Sequence, residues 1–145
     1  MNHQPLIVAE PYGRYAHKPP LVVDCSVLAA VLVDELTRDE ALLTMAGKAM
    51  FAPDLIDHEA LSVALKKLGK QSEAAVLRAV RDWVNLDITK HPIDSLSQFR
   101  LAHRTGLPAC DAAYLQLAID LKAPLPTFDK MLGKAAESWL TNRQA

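Results

Sequence analysis

The chain has 145 residues, half of them hydrophobic, and a formal net charge of −1 at pH 7. That is the size of one domain with a real core, and the charge supplies no overall basic field of the kind that marks a nucleic-acid binder. No apolar run approaches the ~20 residues of a membrane helix, no charged segment leads into a secretory-type apolar core, and Cys25 and Cys110 lie far apart without CxxC spacing, all of which points to a reduced, cytoplasmic protein without a zinc site or a disulfide framework.

Residues 1–20, with Pro5, Pro11, Gly13 and Pro19-Pro20, read as an irregular N-terminal arm that ends at the proline pair. Its Leu6, Ile7, Val8, Tyr12 and Tyr15 suit packing on a neighbouring surface or a dimer partner. Residues 21–145 read as the folded domain. Leu21 to Val23 is short and apolar, bounded by Pro20 and Asp24, as in a buried parallel strand. A helix follows over 26–34. Thr37 with Glu40 has capping-box spacing and starts a second helix that stops near Gly47. Ala49 to Phe51 is a second strand. Helices are expected over 54–68 and 72–84, then a third strand over 86–88. Further helices span 94–104 and 109–121. Pro124 to Phe128 is expected as a fourth strand, Asp129 opens a short last helix, and Trp139-Leu140 could add a fifth strand. Strands alternating with helices imply a three-layer α/β/α fold around a parallel sheet of four or five strands.

In such sheets ligands bind at the carboxyl ends of the strands. Asp24 interrupts the apolar run "LVVDCSVLAAVLVDE" at that point, and Asp129 repeats the strand–Asp–helix pattern in "PLPTFDKML". Each alone is explained as a helix N-cap. Asp111 lies in the first turn of its helix and has the same excuse. Glu59 has none: it is mid-helix and borders the apolar stripe of Ile56, Ala60 and Val63, so it needs a partner, either a structural salt bridge across the core or a metal. Asp57 points about 200° around the helix from Glu59 and is set aside; His58 reads as surface. Several carboxylates gathered at one sheet edge repel each other unless a cation sits among them. A donor set of hard oxygens suits Mg²⁺ or Mn²⁺, and such sites support phosphodiester hydrolysis.

Four segments, "VVDCSVLAAVLVDE", "APDLIDHEALSVAL", "DAAYLQLA" and "APLPTFDKML", together resemble, in order and spacing, a PIN-domain ribonuclease of the VapC toxin type over about residues 21 to 135. The resemblance implies a metal-dependent endoribonuclease whose four acids are Asp24, Glu59, Asp111 and Asp129, with Ser26 as the small hydroxyl residue beside them. It also implies Mg²⁺ or Mn²⁺ as cofactor, an RNA substrate (transfer RNA at the family level), homodimers, and a cognate antitoxin that inserts into a groove and blocks the site. Cys25 and Cys110 depart from the family pattern and are read as small buried hydrophobes. Lys66, Lys67, Lys70, Arg78 and Arg81, and separately Arg100, His103 and Arg104, form basic helix faces. They contact phosphates only if they lie near the acids; a solvated face is the commoner outcome. The absence of a second acid at Ser26 excludes dehalogenase-like phosphatases and receiver domains, and no phosphate-binding Gly-rich loop is present. The rival reading is a PIN-fold binding or regulatory module with little catalysis.

Overall fold

The computed structural model describes residues 18–33 and 36–142; the first 17 residues of the expected arm lie outside them. The described chain runs β1 (Pro20–Val22), α1 (Cys25–Leu32), α2 (Arg38–Met45), β2 (Ala49–Pro53), α3 (Ile56–Lys67), α4 (Glu73–Val84), β3 (Ile88–His91), α5 (Ser95–Thr105), α6 (Ala109–Leu121) and α7 (Lys130–Thr141). The strands form one parallel sheet in the order β1-β2-β3, with Leu21 opposite Met50 and Met50 opposite Ile88.

The architecture is the three-layer α/β/α arrangement read from the sequence, with a smaller sheet. Among the described residues it has three strands rather than four or five. Residues 123–127 form no strand; one backbone hydrogen bond joins them to β1, from Val22 N to Pro124 O at 3.0 Å. Pro124 and Pro126 have no N–H to return, so a continuous ladder cannot form there. The expected fifth strand is helix: Trp139 and Leu140 lie in the last turns of α7 and pack on the core with Leu132 and Ala136, at the 3, 4, 7 and 8 spacing of a helical stripe. Thr37 precedes α2 but makes no side-chain capping bond, so the capping box is not formed. β3 lies two residues later than expected.

Burial explains the sheet position. Val22, Val23, Leu28, Ile56 and Leu115 are fully enclosed. Helix α6 packs across β1 and β2, and Ala112, Ala113 and Ala118 on its buried face let the backbones approach closely. The chain leaves β1 at Asp24 and β2 at Pro53. The segment after α6, bonded to β1 through Pro124 O, leads on to Asp129. One edge of the sheet therefore collects the strand exits and their following helices.

Candidate active site

Asp24, Cys25, Ser26, His58, Glu59, Ser62, Val63, Lys66, Asp111, Tyr114 and Asp129 line one cavity of about 410 Å³ that opens to solvent at this edge. All four sequence-selected acids and Ser26 are among them. They come from α1, α3, α6 and α7 or the residues just before them.

Asp24 is the one charged residue in the buried class among the described residues, at 4% exposure. It caps α1: Oδ1 accepts from Val27 N at 3.1 Å and from Ser26 Oγ at 2.8 Å. Its Oδ2 accepts from the Thr127 hydroxyl. Thr127 in turn accepts from Asp129 N at 3.0 Å, and Ser26 Oγ accepts from Phe128 N at 3.0 Å. Two hydroxyls thus lock the β1–α1 turn to the segment before α7. Asp129 caps α7 through Oδ1 and Leu132 N at 2.8 Å. The capping readings of Asp24 and Asp129 are therefore correct, and capping leaves both on the cavity wall.

Glu59 lies in the first turn of α3 rather than mid-helix, because the helix starts at Ile56; it is half-buried, and its partner is a neutral donor: Tyr114 OH donates to Glu59 Oε2 at 2.5 Å. Burial raises the Glu59 carboxyl above the usual range; the Tyr114 bond opposes this, and Asp111 and Asp24 add to it. Burial likewise raises Asp111, with Asp129 and then Asp24 reinforcing it. Each of the four acids is thus within electrostatic reach of at least one other. Burial, followed by the bond to Glu59, also pushes the Tyr114 phenol up, so it remains a donor. Tyr114 and Thr127 are the two site residues that sequence reasoning missed. Both lay inside the quoted segments, three residues after Asp111 and two before Asp129.

The neighbouring residues divide clearly. Asp57 faces away, accepting from Trp83 Nε1 at 2.9 Å and Lys90 Nζ at 2.7 Å, as its helical angle requires. Cys25 sits on the cavity wall with its thiol pushed up to about 12 by burial and by Glu59 and Asp24, which makes it a poor nucleophile. Cys110 is exposed, contrary to the buried reading. Of the basic residues picked out in the sequence, Lys66 lines the cavity, two turns along α3 from Glu59.

Among the described residues no three acidic, histidine or cysteine side chains stand around one point as ligands of a single ion. The donor chemistry fits a hard divalent cation all the same. The donors are carboxylates, two of them raised by burial and mutual repulsion, and a cation is the counter-charge that would draw them together.

A parallel α/β/α domain with an acid-lined cavity at the sheet edge is a recognised class, and the comparisons agree. The PIN domain family model matches residues 21–138. Ribonuclease VapC9 of Mycobacterium tuberculosis is 29% identical over 121 residues, covering 81% of this chain and 92% of that protein. Ribonuclease VapC3 of the same organism is 31% identical over 122 residues, with 81% and 89% covered. PAE2754 from Pyrobaculum aerophilum has the same fold, with a TM-score of 0.65 at 23% identity, covering 86% of this chain and 89% of that one. The chain belongs to the PIN domain family, among its VapC ribonucleases.

Proposed function

We infer that this protein is an endoribonuclease that hydrolyses RNA phosphodiester bonds with Mg²⁺ or Mn²⁺ held by Asp24, Glu59, Asp111 and Asp129, and that it is the toxin of a toxin–antitoxin pair. The observation that carries the reading is the meeting of these four acids, separated by up to 105 positions, in one cavity of a PIN domain whose relatives are named ribonucleases. A bound divalent cation supplies charge that acidifies water and offsets negative charge on the phosphoryl oxygens. The chain supplies placement. Ser26 and Thr127 fix Asp24, α7 fixes Asp129, and Tyr114 holds one oxygen of Glu59. Asp111 accepts no protein hydrogen bond among the described residues, which leaves its oxygens to the cavity.

The same reading divides the chain into an arm, 1–20, and a nuclease unit, 21–145. It makes the protein a cytoplasmic homodimer acting on RNA, transfer RNA among the candidates, and held in check by a cognate antitoxin. No helix of the described residues is long and apolar enough to cross a membrane.

The test is incubation of purified, antitoxin-free protein with total RNA and Mg²⁺ or Mn²⁺, beside Asp24→Asn and an EDTA control. Discrete products that vanish in both controls are expected, and their ends identify the target. Metal binding by calorimetry without cleavage of any RNA would favour the regulatory-module reading.

A further inference from the structure

We propose that Tyr114 is a positioning residue: its hydroxyl holds Glu59 so that Oε1 is directed to the cation. The proposal rests on the reading of the four acids as a cation site. Glu59, in the first turn of α3, is the one acid of the four whose carboxylate accepts a side-chain hydrogen bond and no backbone one among the described residues. It also has one more side-chain torsion than an aspartate, so it loses more freedom on being fixed. Asp24 and Asp129 are oriented by backbone N–H groups of α1 and α7. For Glu59 the corresponding hydrogen bond is that of Tyr114 to Oε2. Tyr114 is 1% exposed and stands on α6, which packs on β1 and β2, so its phenol is a fixed reference point. It follows Asp111 by three residues on that helix, the spacing that puts two side chains on one face. One helix therefore presents one acid to the cavity and orients a second from across it.

A buried phenol requires a partner in any case. What sets this one apart is that its partner is a half-buried carboxylate on the wall of the cavity, with Oε1 accepting no protein hydrogen bond among the described residues. Groups that hydrogen-bond metal ligands typically change metal affinity 10–100-fold when removed.

The experiment is Mn²⁺ calorimetry on the full chain, for wild type, Tyr114→Phe, Glu59→Gln and the double variant. Phenylalanine keeps the ring that fills the core, and circular dichroism checks the fold. Tyr114→Phe is expected to weaken Mn²⁺ binding about tenfold or more, and raised Mn²⁺ is expected to restore its RNA cleavage. In the Glu59→Gln background the same change is expected to alter affinity less than about twofold, since the phenol acts through Glu59. Unchanged affinity in Tyr114→Phe would overturn the proposal while leaving the site intact. So would an equal loss in both backgrounds, which is the mark of a purely structural residue. A wild-type protein that binds no Mn²⁺ would remove the cation site and the proposal together.

Discussion

Thr127 bonds both to the Asp24 carboxylate and to the backbone N–H of Asp129, so one hydroxyl ties two acid-bearing segments that are 105 positions apart in sequence. Thr127→Val keeps the shape and removes the hydroxyl. It leaves Oδ2 of the buried Asp24 carboxylate without its protein donor, while Oδ1 keeps Val27 N and Ser26 Oγ, and takes the acceptor from the Asp129 amide, at a cost of about 1–3 kcal/mol. Urea denaturation should show that loss, RNA cleavage should fall with it, and Thr127→Ser should recover most of both. The acids themselves pull the other way. The folded-state affinities of Glu59 and Asp111 for a proton are raised, so the native state binds protons more tightly than the unfolded chain. Stability therefore falls as pH rises from the ordinary carboxylate value through the raised one. Metal-free protein should melt at a higher temperature near pH 5 than near pH 7. Both groups are partly solvated, which screens the repulsion, so Asp111→Asn should raise the melting temperature at neutral pH by only about 2 °C, abolish cleavage, and reduce the stabilisation by Mn²⁺. Asp24, Asp129 and Glu59 were legible because a carboxylate after an apolar run, or beside an apolar stripe, needs a reason; Asp111 conflicts with nothing around it and was legible only through the family resemblance. Thr127 and Tyr114 were not, since a hydroxyl is unremarkable in a loop and a tyrosine in a buried helix face is ordinary core. Their partners come from residues 103 and 55 positions away, and no local pattern carries that.

Helix ends show the same divide between local and distant causes. Ser72 and Asp94 cap α4 and α5 through their side chains, as Asp24 and Asp129 cap theirs, because the N-cap bond joins residues three apart and is written in the sequence. Gly106 closes α5 at φ 72°, in the left-handed region where glycine pays no steric penalty. A Cβ built there meets nothing within 4 Å, so Gly106→Ala isolates the backbone cost. It should destabilise the protein by about 1–2 kcal/mol in denaturant titration, with Mn²⁺ affinity unchanged. The misreadings at this scale have one source. Short apolar segments such as 124–128 and 139–140 look alike as strand or helix; the first is denied a ladder by two missing N–H groups, and the second is decided by the helical stripe that continues back to Leu132. The number of strands in a sheet depends on such outcomes, whereas its parallel sense follows from the alternation of elements alone.

For the whole molecule the open problem is how a chain of net charge −1 brings a polyanion to a cavity walled by four carboxylates. Metal ions bound as proposed would offset part of that repulsion, and a cation on the wall would offset more. Lys66 is the candidate: it lies on α3 one heptad after Glu59, lines the cavity with Ser62 and Val63, and is exposed. Lys67, Lys70, Arg78, Arg81, Arg100, His103 and Arg104 do not line the cavity. A phosphate contact contributes about 0.7 to the slope of log affinity against log salt for a single strand. Lys66→Ala in an Asp24→Asn background, which binds without cutting, should therefore lower the salt slope of RNA binding by about 0.7 in fluorescence anisotropy, and Arg104→Ala should leave it unchanged. In the active protein Lys66→Ala should raise KM several-fold with kcat little altered, because a contact to a phosphate remote from the scissile bond is made equally in ground and transition states. Were Arg104→Ala to change the slope and Lys66→Ala not, the RNA would have to run across α5 rather than along α3.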